Sequence, residues 1–290
     1  MATISLFSPA KINLFLHIIG KRNDGYHDLQ SVFRALDFGD WLHFTTNDGA
    51  DDMITLLGDN LPCDFSDNLI IKAVKLLTDN FPRQARPITI TLDKHIPTGA
   101  GLGGGSSNCA TTLIAINKLW NLELKMDDLL IYGAALGADV PFFIFHHYQK
   151  TDAIALGIGE KLTAISLPSS RYLLVMPDEH LATADFFAHN TLQKNTALIT
   201  DLSHQTEKFT WHLQAPFHNC FEPLAVTASA KVANALSYLR TLQEQADATA
   251  RMTGTGSAVF LPISDDVDDK TLHAWQQASP SRAIVTSSLP

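Results

Sequence analysis

A glycine-rich stretch is the first part of this sequence whose residue types and spacing point to chemistry. Residues 97–108 read Pro-Thr-Gly-Ala-Gly-Leu-Gly-Gly-Gly-Ser-Ser-Asn, and an alanine-rich pattern with helical spacing follows at once. Glycine permits positive φ and lets backbone amides come close to a ligand. A helix N-terminus adds unpaired N–H groups and partial positive charge. The stretch therefore predicts a phosphate-binding loop, with Ser106, Ser107 or Asn108 as the cap of the following helix.

Other interpretations fit this stretch less well. A flexible linker is not usually flanked by an alternating strand, here residues 88–92, and an amphipathic helix. The spacing Gly-x-Gly-x-x-Gly from Gly99 matches a dinucleotide fingerprint, and Glu123 lies at a suitable distance for its ribose-binding acid. That fingerprint needs a tight turn after the strand, whereas residues 93–97 intervene here. A Walker A loop needs a lysine after its last glycine, and Gly105 is followed by serine.

Two further positions combine polar side chains with apolar surroundings. Asp139 stands directly before residues 140–145, an apolar run that predicts a buried strand, where a carboxylate is costly unless paired or solvated in a cleft. Lys11 and Asn13 alternate with apolar residues at residues 4–19, which predict one long strand or a strand pair, so both share one face and can address one ligand. The simpler alternatives are a turn aspartate at a helix end and a solvated strand face.

The turn at residues 20–28 carries a third candidate, the pair Tyr26 and His27. A tyrosine offers a stacking face and a histidine a polar rim, so together they are suited to a nucleobase. Alone the pair is a weak signal, because both residue types are common in loops.

Composition limits the classes of function. The chain has 290 residues, 46% hydrophobic and 18% charged, which suits two modest domains with ample core. Its net charge of −9 argues against general binding of nucleic acid or anionic membranes. The three cysteines, Cys63, Cys109 and Cys220, are widely spaced, as expected in a reducing compartment without structural zinc. No secretory pattern or membrane span is evident, so a cytoplasmic protein is expected.

Strand and helix patterns alternate along the chain and predict an α+β fold. The expected strands cover residues 4–19, 29–38, 41–44, 88–92, 140–145, 162–167, 172–176, 258–263 and 283–285. The expected helices cover residues 68–81, 107–120, 126–136, 217–224, 230–245 and 271–277. Residues 48–67 predict a polar loop, and Asp67 or Ser66 is expected to cap the first helix, unless Asn68 there contacts a ligand.

Taken together, these motifs resemble the GHMP kinase superfamily. The segments that carry the resemblance are residues 8–14, 24–27, 67–70, 97–108, 137–141 and 253–257. They run through nearly the whole chain. The Asp-Gly-Tyr-His turn at residues 24–27 is similar to that of members that act on a cytidine-diphosphate substrate in the non-mevalonate isoprenoid precursor pathway.

The resemblance implies a two-domain fold. Residues 1–160 would form an ATP-binding domain like the second domain of ribosomal protein S5, and residues 161–290 a ferredoxin-like substrate domain, with the active site in the cleft between them. The implied reaction transfers the γ-phosphate of ATP, with Mg²⁺, to the 2-hydroxyl of a methylerythritol carrying cytidine diphosphate. A homoserine or mevalonate kinase is the nearest alternative, and an oxidoreductase or an inactive binding protein are alternatives of other classes.

The resemblance also implies roles for individual residues. Asp139 would be the catalytic base, and Lys11 beside it would keep it ionised and steady the transferring phosphoryl group. Asn13 would help hold the substrate, Tyr26 would stack on the cytosine, and His27 would hydrogen-bond to it.

The remaining implied contacts involve the second domain, the nucleotide and the metal. Phe187, or its neighbour Phe186, would close the cytosine stack, and Thr183 would line the substrate wall, although residues 178–184 have less proline than in relatives. Ser106 or Ser107 could touch Mg²⁺, or phosphates and water could hold it. The implied ATP-binding residues are Pro97, Gly99, Ala100, Gly101, Leu102, Gly103, Gly104, Gly105, Ser106 and Ser107, with Asn68 and Lys94 near the nucleoside.

Overall fold

The computed structural model describes residues 1–58 and 64–290, and it confirms the predicted α+β class. Cys63 lies outside the described residues. The chain forms two compact units whose segments alternate along the sequence: residues 1–10, 38–98 and 103–150 in the first, and residues 11–37, 99–102 and 151–290 in the second. The division at residue 160 implied by the superfamily stays a prediction. Two long strands, β1 (Thr3–Lys21) and β2 (His27–Thr46), contribute residues to both units.

The first unit combines a small sheet with helices. Its sheet has the strand order β3-β4-β2, with β3 (Ile54–Leu57) parallel to β4 (Ile88–Asp93), and β4 antiparallel to residues 41–46 of β2. The glycine-rich loop leads from β4 into α2, which packs against each of the other helices of this unit. These helices are α1 (Leu69–Asn80), α2 (Gly104–Leu119), α3 (Met126–Leu136) and α4 (Val140–Gln149).

The second unit contains a ferredoxin-like sheet. The elements β7 (Arg171–Met176), α8 (Ala230–Thr241), β8 (Arg251–Met252), β9 (Val259–Ile263), α10 (Asp269–Ala278) and β10 (Arg282–Ser287) follow in the order β-α-β-β-α-β. The sheet is antiparallel with the order β10-β7-β9-β8, and α8 and α10 pack on it. This confirms the ferredoxin-like prediction.

The remaining elements of this unit surround that sheet or extend β2. Residues 29–33 of β2 pair with β5, which pairs with β6 in a hairpin. The bounds are β5 (Asp152–Gly157), β6 (Lys161–Ile165), α5 (Thr183–Ala188), a 3₁₀ turn (Leu202–His204), α6 (Glu207–Thr210), α7 (Glu222–Ala228) and α9 (Gln243–Ala246). No described helix combines the length and apolar character that a membrane crossing requires.

The predicted strand at residues 140–145 is wrong, because this segment opens helix α4. All six of its residues are buried, so the run has no polar face to reveal a helical period. Pro141 is at the first turn of α4, where its missing N–H costs nothing. Asp139 is consequently the N-cap residue of a helix and does not lead into a strand.

Two cap predictions are also wrong. Helix α2 begins at Gly104, and its cap is Gly103 in the left-handed region at φ 71°, so Ser106, Ser107 and Asn108 lie inside the helix. Helix α1 is capped by Asn68, whose Oδ1 accepts a hydrogen bond from the Ile70 amide at 2.9 Å, and not by Asp67 or Ser66. In each case several capping residue types are adjacent, so composition does not choose between them.

Two strand predictions need correction as well. The patterns at residues 29–38 and 41–44 are one continuous strand, β2, and the predicted loop at residues 48–67 contains β3. The N-terminal strand is confirmed, but its polar face is not solvated. Lys11 and Asn13 are 4% and 2% exposed, so the simpler alternative for them is excluded.

A buried ion pair in the second unit supplies a test of the fold. Arg34 and Asp152 are almost fully buried, and the guanidinium Nη2 lies 2.7 Å from the carboxylate Oδ2. We expect Arg34→Met to lower the free energy of unfolding by about 3–5 kcal/mol, because it leaves a buried carboxylate uncompensated. Chemical denaturation would measure this. The control Lys72→Met breaks the exposed pair with Asp67 and should cost at most about 1 kcal/mol; equal effects would contradict the assignment.

Candidate active site

A chain of buried hydrogen bonds starts at the predicted catalytic lysine in the second unit. Lys11 Nζ donates to Asn13 Oδ1 at 2.6 Å, and Asn13 Nδ2 donates to Ser31 Oγ at 2.8 Å. Ser31 Oγ donates in turn to the Phe15 carbonyl at 2.6 Å. The Lys11 ammonium also lies 5.1 Å from the centre of the Phe33 ring. These contacts hold Lys11 and Asn13 in one orientation, since buried polar groups are costly to leave unpaired.

The same strand is joined to both glycine motifs. The Asn13 amide donates to Thr253 Oγ1 at 2.9 Å, and the Lys11 amide donates to the Leu102 carbonyl at 2.9 Å. Residues 99–102 of the phosphate loop lie against the turn at residues 253–256, and just after this turn the Ala258 amide donates to the Ala100 carbonyl at 3.1 Å. Three motifs that are widely separated in sequence therefore meet within the second unit.

Glycine is required where these two turns meet. A Cβ on Gly101, whose φ is +75°, would lie 2.5 Å from the Thr253 carbonyl oxygen. A Cβ on Gly254 would lie 3.1 Å from the Gly101 carbonyl oxygen. Asn219 supports the second turn, since its Nδ2 donates to the carbonyls of Met252 and Gly254, each at 2.9 Å. Asn219 and Ser31 were not predicted as site residues, because nothing in the local sequence pattern distinguishes them from ordinary polar residues.

The start of α2 in the first unit has the features of an anion site. The Ser107 amide donates to the Gly103 carbonyl at 2.8 Å, which is the first bond of the helix. The N–H groups of Gly104, Gly105 and Ser106 precede that bond and have no acceptor within the helix. They stand at its partially positive end, as a phosphate cradle requires.

Three predicted nucleotide-binding side chains have different surroundings. Ser107 is fully buried and its Oγ accepts a hydrogen bond from Ser8 Oγ at 2.8 Å, so this hydroxyl packs inside the unit. Ser106 is half-buried in the first turn of α2 and better suited to meet a ligand. Asn68 uses its Oδ1 to cap α1. Their roles toward ATP stay predictions.

Asp139 is half-buried at the N-terminus of α4 and does not cap the helix with its side chain. The partial positive charge at a helix N-terminus stabilises a negatively charged side chain. Its role as a general base stays a prediction.

Lys94 directly follows β4, the strand that precedes the loop. Its ammonium is 2.6 Å from the carboxylate of Asp40, which is fully buried. Asp40 was not predicted as a site residue either, because it lies between the strand patterns at residues 29–38 and 41–44 and its partners are far away in sequence.

Two of the predicted base-binding residues, His27 and Phe187, are in ring contact in the second unit. The rings of His27 and Phe187 are stacked, with centroids 4.8 Å apart and an interplanar angle of 21°. His27 Nε2 is buried and has no hydrogen-bond partner among the described residues. Tyr26 is 61% exposed, and Phe186 is 7% exposed in the core. The structure thus distinguishes the two phenylalanines, since Phe187 stacks on His27 and Phe186 packs in the hydrophobic core.

Thr183, the predicted wall residue, lies at the start of α5, and its Oγ1 is 3.0 Å from Thr255 Oγ1 in the second glycine turn. His180 precedes it and packs over the phosphate loop, where a Cβ on Gly99 would overlap the imidazole ring. Residues 180–183 therefore contact both glycine turns.

Comparison with known proteins identifies the family. Residues 68–147 match the family described as GHMP kinases N terminal domain. A 4-diphosphocytidyl-2-C-methyl-D-erythritol kinase of Psychrobacter cryohalolentis is 44% identical, covering 99% of this chain and 98% of that protein. The chain belongs to the 4-diphosphocytidyl-2-C-methyl-D-erythritol kinase family of the GHMP kinases. This confirms the predicted superfamily and kinase class, and it excludes the alternative that the chain is an oxidoreductase.

Solved structures agree with this family assignment. A crystal structure of 4-(cytidine 5'-diphospho)-2C-methyl-D-erythritol kinase has a TM-score of 0.80 at 26% identity, covering 99% of this chain and all of that one. The mevalonate kinase of Methanococcus jannaschii has a TM-score of 0.69 at 15% identity, covering 100% and 99%. The second likeness shows the fold alone, which the two kinases share.

The contact between His27 and Phe187 supplies a test of this region. Burial of the ring lowers the pKa of His27 below its ordinary value, with the positive charges of Lys194 and Lys21 contributing less. We expect Phe187→Ala to raise the pKa of His27 toward that value, because it uncovers the ring. An NMR titration of the imidazole measures this. Tyr26→Ala is the control and should leave the pKa of His27 unchanged; an unchanged pKa in Phe187→Ala would contradict the stacking.

Proposed function

We propose that this chain transfers the γ-phosphate of ATP to the 2-hydroxyl of 4-diphosphocytidyl-2-C-methyl-D-erythritol, in the non-mevalonate isoprenoid precursor pathway. Within the structure, one observation supports this choice of substrate: His27 presents a buried, unpaired Nε2 beside the ring of Phe187 and next to the exposed Tyr26. A buried polar atom without a partner is rare in folded proteins. In this proposal the nucleobase stacks on the tyrosine and, as the side chains that cover Nε2 move aside on binding, becomes its hydrogen-bond partner.

The proposed chemistry assigns the proton to Asp139. An alcohol is a poor nucleophile, and a carboxylate within hydrogen-bond reach accepts its proton as the new P–O bond forms. In this proposal the Lys11 ammonium stabilises charge on the transferring phosphoryl group. The burial of Lys11 and its bond to Asn13 support the proposal, since a fixed charge in a water-poor site stabilises a transition state more than a mobile one.

We propose that the first amides of α2 bind the phosphates of ATP and that Mg²⁺ accompanies them. Mg²⁺ prefers oxygen ligands and usually retains several waters while bridging substrate phosphates. Of the two serines predicted to touch it, Ser106 fits this task and Ser107, whose hydroxyl is buried against Ser8, does not. The described residues contain no group of three or more His, Cys, Asp or Glu that could hold a metal ion.

The proposal is tested by assaying ATP-dependent phosphorylation of the cytidyl substrate by the wild type and by Asp139→Asn. We expect the variant to lose about 10²- to 10⁴-fold in kcat, the usual contribution of a positioned base. Asp127→Asn is the matched control, because it removes an exposed carboxylate from the first turn of α3, and it should keep wild-type turnover.

Two results would contradict the proposal. Full turnover by Asp139→Asn would remove the assigned base. Wild-type activity toward mevalonate or homoserine, with none toward the cytidyl substrate, would overturn the assignment of His27 and Tyr26 to a nucleobase and leave another GHMP kinase activity in its place.

A further inference from the structure

The carboxylate of Asp40, in β2, binds three donors from one short segment of the first unit. Its Oδ2 accepts from Lys94 Nζ at 2.6 Å, and its Oδ1 accepts from the amides of His95 and Ile96 at 2.7 and 2.8 Å. Asp40 is fully buried, whereas its partner Lys94 keeps 11% of its side chain exposed. A buried carboxylate with three donors is well satisfied, and these donors lie immediately before the glycine-rich loop.

This arrangement places a cation at the start of helix α2. A Cβ on Gly104, the first residue of α2, would lie 3.1 Å from Lys94 Nζ and 2.9 Å from Ile96 Cγ2. The ammonium therefore stands beside the first turn, whose N–H groups already carry partial positive charge. A cation at the N-terminus of a helix is repelled by the partial positive charge there. The attraction between the Asp40 carboxylate and the Lys94 ammonium offsets this repulsion.

We propose that Asp40 is a positioning residue for ATP, which holds Lys94 at the start of α2 so that its ammonium binds the same polyphosphate as the first amides of the helix. An ammonium has three donors, and only one is used by Asp40 Oδ2. The second oxygen of Asp40 fixes the backbone of His95 and Ile96, and with it the entry to the loop. The resemblance implied a position for Lys94 near the nucleoside, and the proposal gives its ammonium the phosphates as ligand. This inference rests on the proposed function, since it takes ATP to be the ligand of the loop.

Substitutions at Asp40 separate its ion pair with Lys94 from its hydrogen bonds to the His95 and Ile96 amides. In Asp40→Asn the amide oxygen can still accept from the His95 and Ile96 amides, while its NH₂ group faces the Lys94 ammonium as donor against donor. Asp40→Ala loses both tasks. The asparagine variant therefore tests the hold on Lys94 with the backbone contacts kept.

The test is a double-mutant cycle on the full chain with Asp40→Asn, Lys94→Met and the double variant. ATP dissociation constants are measured by displacement of a fluorescent nucleotide, and kcat and KM are measured for both substrates. We expect each single variant to weaken ATP binding roughly 10-fold, as loss of one charged hydrogen bond does, with kcat and the KM of the cytidyl substrate nearly unchanged. In the Lys94→Met background, Asp40→Asn should raise the ATP dissociation constant by less than about twofold, because its effect acts through Lys94.

Asp93→Asn is the matched control, since it removes an exposed carboxylate next to Lys94, and it should leave ATP binding at the wild-type value. Equal weakening by Asp40→Asn in both backgrounds would overturn the inference, because Asp40 would then act without Lys94. Unchanged ATP binding by Lys94→Met would overturn it too, and this result does not depend on whether the Asp40 variants fold.

The same measurements distinguish failure of the inference from failure of the proposed function. Wild-type protein that binds ATP with the predicted dependence on Lys94 but does not phosphorylate the cytidyl substrate would contradict the function and support the inference. Normal phosphorylation with ATP binding that is indifferent to Lys94 would do the reverse.

Discussion

The backbone of Gly101 approaches the turn at Thr253 and Gly256 more closely than any residue with a side chain could. Only the missing Cβ allows this, since one at Gly101 would stand 2.5 Å from the Thr253 carbonyl oxygen. The contact joins a loop near residue 100 to a turn near residue 254, and β1 is bonded to both through the amides of Lys11 and Asn13. The geometry of the candidate site in the second unit depends on this contact.

Buried polar groups make that geometry rigid. Lys11, Asn13 and Ser31 lie almost fully inside the unit, and each donates a hydrogen bond to the next group in the chain. Removing the Ser31 hydroxyl would take the acceptor from the buried Nδ2 of Asn13, which costs more than a net hydrogen bond contributes. The network therefore specifies one arrangement of the lysine, as a group that must meet a developing charge requires.

The sequence predicted well those features that local rules determine. Helix α3 has its predicted bounds, and the ferredoxin-like order of the second unit follows from the resemblance. The phosphate loop and the turn at residues 253–256 are recognisable in the sequence by their glycines. Few other residues tolerate a positive φ or allow two backbone segments to come so close. Helix α4 was predicted as a strand, since complete burial removes the polar face that shows the helical period.

The features that could not be predicted depend on partners far away in sequence. The role of Asp40 depends on its hydrogen bonds to Lys94 and to the amides that follow it, and the role of Ser31 depends on its hydrogen bond from Asn13. Phe186 is buried in the core whereas Phe187 stacks on His27, and this difference likewise depends on what packs beside α5. The sequence does not show it, since the two residues are neighbours of the same type. Short-range patterns carry no information about such partners, and tertiary packing decides them.

The most direct measurement of the central contact is the kcat/KM of Gly254→Ala for the cytidyl substrate. Gly254 has φ +57°, and its new Cβ would press on the backbone of Gly101 at 3.1 to 3.2 Å. Gly157→Ala is the control, because Gly157 also has positive φ but its nearest neighbours are side-chain atoms of Glu160. If the contact between the two turns sets the geometry, Gly254→Ala loses about 10²-fold in kcat/KM while remaining folded, and the control keeps near wild-type activity. Wild-type kcat/KM in folded Gly254→Ala would contradict the account.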